Sequence, residues 1–199
     1  MLEFKNVEVS GIRSAIMASG FPKRLGEPPD YEVKPITADL TRVQRLGGAE
    51  SGSGHDCFLK GITVSFDLKY PQYFSMQLQR YHFLDIVSSQ SKMHSVTEMW
   101  LEDQVNKYTD LRIVKLAQDY ITEYNRGDWT TEEEKQDRFQ RVVSNLPMGL
   151  ELWMRVTTNY LQLKTLHMQR KNHRLVEWQE FCDWCETLPH FLELTGNIV

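Results

Sequence analysis

The chain has 199 residues, 41% hydrophobic and 25% charged, a globular composition sufficient for one domain, 1–199, with a sizeable core. Its net charge of −4 offers no cationic excess to replace counterions, which argues against general binding of a nucleic-acid polymer. No apolar run approaches the roughly 20 residues of a membrane span, Met1–Gly20 is no signal peptide, and three cysteines form no disulfide framework, so the expected setting is a reducing cytoplasm.

The opening stretch "MLEFKNVEVSG" alternates as a strand does, and Ser10–Ser19 fits a short helix. Gly20–Pro35 holds four of the seven prolines and reads as irregular. Ile36–Gly47 reads as a helix closed by Gly47, followed by the glycine-rich loop "GGAESGSGHD". In "ITVSFDLKY", Ile62, Val64, Phe66 and Leu68 share one face, the period of a half-buried strand. Pro71 opens a helix of about three turns through Tyr81, with Gln77, Arg80 and Tyr81 grouped on its last turn. The polar run Gln79–His94, "QRYHFLDIVSSQSKMH", reads as an extended loop rich in directional donors. Thr109 caps and Gly127 stops the next helix, and Thr130 with Glu133 has capping-box spacing for another. Leu150, Leu152, Met154 and Val156 mark a strand. Asn159 with Gln162 opens a helix through Arg170, and a last helix spans Leu175–Leu188. Few strands, several helices and no βαβ rhythm predict an α+β fold.

Three stretches carry candidate chemistry. "CDWC" (Cys182–Cys185) is a lone CxxC inside a helix beside Trp178, Phe181 and Trp184, so packing is its expected role, and no metal site is expected. His55 follows the glycines: it is either a structural histidine or part of a loop that lets a ligand approach the backbone. "HMQRKNHR" (His167–Arg174) is either a solvated helix end or an anion site in which guanidinium pairs with phosphate.

The order of three blocks resembles the flavin-dependent thymidylate synthase family. "GHDCFLKGITVSFDLKYP" (Gly54–Pro71) is similar to the family's Gly-His-Glu block with its strand ending in Lys-x-Pro. "MQLQRYHFLDIVSSQSKMH" (Met76–His94) lines up without gaps on the family signature. Gln77 and Arg80 match, Tyr81 and His82 stand where His and Arg are usual, and Ser88 replaces Glu. Gln90 and Ser91 replace Ser-Gly there, and Lys92 replaces Arg. "NLPMGLELWMRVTTNYLQLKTLHMQRKNHRLVEW" (Asn145–Trp178) resembles the family's Leu-Pro, strand, Thr-x-Asn, helix, Arg, His-x-x-x-Glu succession, with Thr158, Asn159 and Arg170 in register. His173 and Glu177 match after a one-residue gap, and the first fifty residues match only loosely.

The resemblance implies a central, mostly antiparallel sheet flanked by helices and a homotetramer. It implies an enzyme that binds FAD and methylates dUMP at C5 with methylenetetrahydrofolate, taking electrons from NADPH. It gives Gln77, Arg80, Gln90, Ser91, Lys92 and Arg170 to the pyrimidine deoxynucleoside monophosphate, with Arg80 and Arg170 as catalytic groups. It gives His55, Arg80, Tyr81, His82, Ser88, Asn159 and His173 to FAD. The substitutions in the signature keep two other readings open: a different C5 modification, such as hydroxymethylation, of another pyrimidine nucleotide, and a non-catalytic nucleotide-binding homologue or structural oligomer.

Overall fold

The computed structural model describes residues 1–28, 30, 31 and 39–196. Four strands, β1 (Glu3–Ser10), β2 (Thr63–Pro71), β3 (Asp85–Ser89) and β4 (Glu151–Asn159), form one antiparallel sheet in the order β1-β2-β4-β3. The expected alternation holds in both central strands. Val64, Phe66 and Leu68 of β2 are fully buried, as are Leu152, Met154 and Val156 of β4, while Ser65 and Thr157 between them join hydroxyls at 3.0 Å. The fold is α+β, as the sequence pattern predicts.

Two compact units partition the chain, one of Met1–Glu3, Leu68–Tyr81 and Ile86–Arg155, the other of Phe4–Asp67, His82–Asp85 and Val156–Val199. In the first lie α3 (Gln72–Leu78), α4 (Lys92–Ser95), α5 (Leu111–Asn125) and α6 (Glu132–Ser144). α5 packs on α6, burying Val114, Ala117 and Ile121, and Tyr124 meets Phe139 at 5.6 Å. Gly127, at φ 67°, ends α5 where glycine alone adopts that backbone without strain.

The second unit holds α1 (Ile12–Ala18), α2 (Leu40–Gly47), α7 (Tyr160–Arg170), α8 (Val176–Glu186) and α9 (Phe191–Thr195). Its core is aromatic: Trp184 stacks on Phe4 at 4.1 Å, the fully buried Phe66 and Phe181 pack against both, and buried Trp178 meets Phe181 at 5.9 Å. Each such ring contributes roughly 1.5–3 kcal/mol by leaving water. α2 reaches α9 through Gly47, where a Cβ would stand 1.7 Å from the Leu194 carbonyl oxygen. No helix among the described residues is long and apolar enough to cross a membrane.

Several local expectations are corrected. The run Gln79–His94 is not a continuous loop, since it contains β3 and the short α4. α3 stops at Leu78, so Arg80 and Tyr81 occupy a following turn, with their N–H groups donating to Gln77 and Leu78 carbonyls at 3.3 and 3.0 Å. Asp110, not Thr109, caps α5, accepting from Arg112 N–H at 2.8 Å, because the Thr109 hydroxyl donates to Asn106 Oδ1. Thr131, not Thr130, caps α6, accepting from Glu134 N–H at 3.1 Å. The Glu134 carboxylate reaches back to the Thr130 N–H and hydroxyl. Of the predicted helix Ile36–Gly47, the part at 36–38 lies outside the described residues, as do 29 and 32–35 of the proline-rich run.

Candidate functional site

The glycine-rich loop bends through Gly52 and Gly54, at φ 91° and 79°, with open space where their side chains would be. Glycine is needed there for the left-handed backbone. The loop delivers exposed His55 beside buried Asp56, whose carboxylate takes a 2.8 Å bond from Lys164 Nζ. His55, Cys57 and Phe58 line one side of a cavity of about 900 Å³. Ala18 and Leu46 add apolar wall, and Lys23, Arg42 and Arg45 add positive charge. Arg42 is fixed by Asp39 at 2.5 Å, Ser19 Oγ at 3.1 Å and the Ile16 carbonyl at 3.0 Å. A volume of this size with an apolar body and a cationic rim suits a flat ring system bearing phosphate.

Around α7 the second unit assembles another group. Asn159 ends β4, and its side-chain oxygen accepts from Gln162 N–H at 3.1 Å, the helix cap that the sequence predicts. Thr158 Oγ1 donates to the Phe83 carbonyl at 2.9 Å, tying down the stretch that carries exposed His82. At the far end of α7, the Arg170 guanidinium lies over the Trp178 ring, 4.9 Å from its centre. His173 stands edge-on to the same ring and accepts the Leu175 N–H on Nδ1 at 3.1 Å, so Nδ1 carries no proton. Partial desolvation, then the charges of Arg170 and Arg174, hold its pKa below the usual 6.5. "HMQRKNHR" is therefore split. His167 turns inward, 1% exposed, to Glu186 at 2.8 Å, while Arg170 and His173 share Trp178.

In the first unit, Gln90 prolongs β3 past its last residue. Its N–H donates to the Trp153 carbonyl and its side-chain oxygen accepts the Trp153 N–H, both at 2.9 Å. The Ser91 carbonyl collects the N–H groups of His94 and Ser95 and the Ser95 hydroxyl. Gln90, Ser91, His94 and Trp100 line an open cleft of about 410 Å³. Lys92 donates instead to Gln72 Oε1 at the start of α3. Gln77 lies on α3, half-buried, with Arg80 exposed on the turn beyond it and Ser88 exposed on β3.

The predicted residues thus fall into two sets. Gln77, Arg80, Tyr81, Ser88, Gln90, Ser91 and Lys92 belong to the first unit, and His55, His82, Asn159, Arg170 and His173 to the second. Sequence reading overlooks Lys164, Asp56, Gln72 and Trp178. Asp56 is signalled only by its place after His55, and Lys164 looks like any solvated helix lysine. "CDWC" packs as expected: Cys182 and Cys185 are buried, and burial pushes the Cys182 thiol up to about 12 and holds Cys185 well above the usual thiol range. Neither thiol ionises near neutrality. Among the described residues no three His, Cys, Asp or Glu side chains group to hold a metal ion.

No family model matches the sequence, and no curated protein matches it. Solved structures do. The flavin-dependent thymidylate synthase ThyX from Helicobacter pylori, complexed with FAD and dUMP, matches with a TM-score of 0.68 at 14% identity, over 98% of this chain and 97% of that one. A second structure of the Helicobacter pylori protein with FAD and dUMP gives 0.67 at 14% identity, over 98% and 96%. The UMP/dUMP methylase PolB from Streptomyces cacaoi, bound with 5-Br dUMP, gives 0.66 at 14% identity, over 98% and 93%. The chain has the fold that these proteins share, as the resemblance in its sequence implies.

Proposed function

We propose that this protein is a flavin-dependent enzyme of thymidylate synthase type. It methylates dUMP reductively at C5, with methylenetetrahydrofolate as carbon donor and NADPH as electron donor, in the cytoplasm. The observation that carries the reading is the shared fold over 98% of the chain, with proteins whose structures hold dUMP or its 5-bromo derivative. The cavity at His55 supports FAD: Phe58, Leu46 and Ala18 suit a flat ring, and Lys23, Arg42 and Arg45 suit a diphosphate. When bound, the flavin supplies the hydride chemistry.

The chain's own residues bind and orient. Arg170 presents a planar fork to phosphate or base, steadied by Trp178 beneath it. The Ser91 N–H and hydroxyl, next to Gln90, cradle the phosphate, and Lys92 joins them by exchanging its bond to Gln72 for one to the phosphate. Gln77 and Arg80 face the base, where Arg80 stabilises charge developing on the pyrimidine. Tyr81, His82, Ser88, Asn159 and His173 complete the flavin contacts. Assembly into a homotetramer is part of the reading. β3 is a sheet edge exposed along its whole length, with apolar Ile86 and Val87 on it, and such edges invite pairing unless they are covered.

A second reading, C5 modification of another pyrimidine nucleotide, is favoured by the fold's likeness, nearly as close, to a methylase of UMP and dUMP. The absorbance spectrum of the purified protein, before and after incubation with excess FAD, tests the flavin site. A flavin spectrum that stays with the protein through gel filtration is expected, and a protein that takes up none overturns both enzymatic readings. Incubation with dUMP or UMP, methylenetetrahydrofolate and NADPH, followed by product analysis, then separates the two.

A further inference from the structure

Lys164 and Asp56 form an ion pair with both side chains 2% exposed, 108 residues apart in sequence. Removing two ions from water costs several kcal/mol each, roughly, so an apolar pair of similar volume would stabilise a core as well. What such a pair cannot supply is direction. Lys164 Nζ makes two bonds, to Asp56 Oδ2 at 2.8 Å and to the Ala49 carbonyl at 2.9 Å. Those residues bracket the glycine-rich loop. All six residues between them, Glu50–His55, are exposed, and the loop's tie elsewhere to α7 is a long contact from Ser51 Oγ to Met168 Sδ at 3.6 Å. One ammonium therefore gathers both ends of a loop whose interior, through Gly52 and Gly54, has ample conformational freedom. His55, next to Asp56, is carried by that loop to the cavity, while Lys164 is not among the cavity's lining residues.

We propose that Lys164 is a positioning residue: by tying Ala49 and Asp56 to α7 it closes the base of the loop and sets where His55 meets a ligand in the cavity. The ligand arm of the test rests on the flavin reading above, and the loop arm does not.

The test is the double variant Lys164→Met/Asp56→Ala, which adds no bulk to the buried site and leaves no ion buried alone. Its thermal midpoint should stay near that of the wild type, while hydrogen exchange at residues 50–55 speeds up and FAD binds about tenfold more weakly, a loss of about 1.4 kcal/mol. Wild-type loop exchange with wild-type FAD affinity overturns the proposal. If the double variant does not fold, Asp56→Asn keeps the shape and removes the charge. Exchange should then rise at 50–55 well beyond any rise in the core of α7, and a uniform rise along the chain overturns the proposal in favour of a purely stabilising pair. A wild type that takes up no FAD removes the flavin reading and leaves the loop measurement to decide.

Discussion

Arg170 owes its usefulness to what lies beneath it. Its guanidinium rests on Trp178, a ring with no exposed surface, so few rotamers remain for it to lose on meeting an anion. Lys92 is different. It sits on a four-residue helix, with a flexible stem and an ammonium already donating to Gln72. Charge-assisted bonds from a planar fork contribute roughly 1.5–3 kcal/mol each, whereas a half-buried lysine that must first give up its bond to Gln72 contributes about 1 kcal/mol. Arg170→Ala should therefore weaken dUMP binding by at least about tenfold, and Lys92→Ala by about fivefold. Calorimetric titration with FAD saturating measures both, and an Arg170→Ala variant that binds dUMP normally would end the phosphate assignment. At this scale the sequence told part of the story. "HMQRKNHR" announces cations, and Arg170 is legible through the family register. That His167 leaves the group for Glu186 depends on α8 lying against α7, which no local spacing encodes.

Among the elements, the long helices and the two central strands are legible because their burial is periodic. Their ends are less so. Thr109 and Asp110 are both good caps, as are Thr130 and Thr131, and the outcome turns on which oxygen a neighbour has already taken. β3 escapes for another reason. Its residues are exposed and lack alternation, and it is a strand because it pairs with β4, whose backbone at Trp153 the Gln90 backbone and side chain both grip. Among the side-chain N-caps, Asn159 is read correctly, and it is also expected to touch the cofactor. Asn159→Ala should lower unfolding free energy by about 1 kcal/mol, while Asn159→Ser, which can still accept from Gln162, should lower it little. Urea denaturation of both variants checks this, and equal losses would mean that the cap is not what Asn159 contributes.

For the whole molecule, block order along the chain conveyed more than any single motif. Where the resemblance in sequence falls on the family signature, Tyr81, His82, Ser88, Gln90, Ser91 and Lys92 stand in place of the usual residues, and no family model matches. The likeness in sequence lies in three blocks between Gly54 and Trp178, yet the likeness in structure covers 98% of the chain and so reaches into the first fifty residues. Those residues supply β1, α1 and α2, whose task is largely packing, and many sequences satisfy a packing requirement. The exposed, apolar β3 edge leads to an expectation at this scale. Sedimentation velocity at micromolar concentration should show four chains together, and Val87→Lys, which charges that edge, should shift the protein toward smaller species if β3 lies in the assembly. A wild type that sediments as a monomer contradicts the assembly.

Gly47 separates what can drift from what cannot. A methyl group there would meet the Leu194 carbonyl at 1.7 Å, so every side chain but hydrogen is closed to that position while α2 keeps its seat on α9. Two residues earlier on the same helix, Arg45 projects to the cavity rim, exposed. Its replacement disturbs no backbone contact. α2 thus joins a seat closed to any side chain with a rim position outside that seat, so the charge presented to a ligand can be changed without moving the helix that presents it.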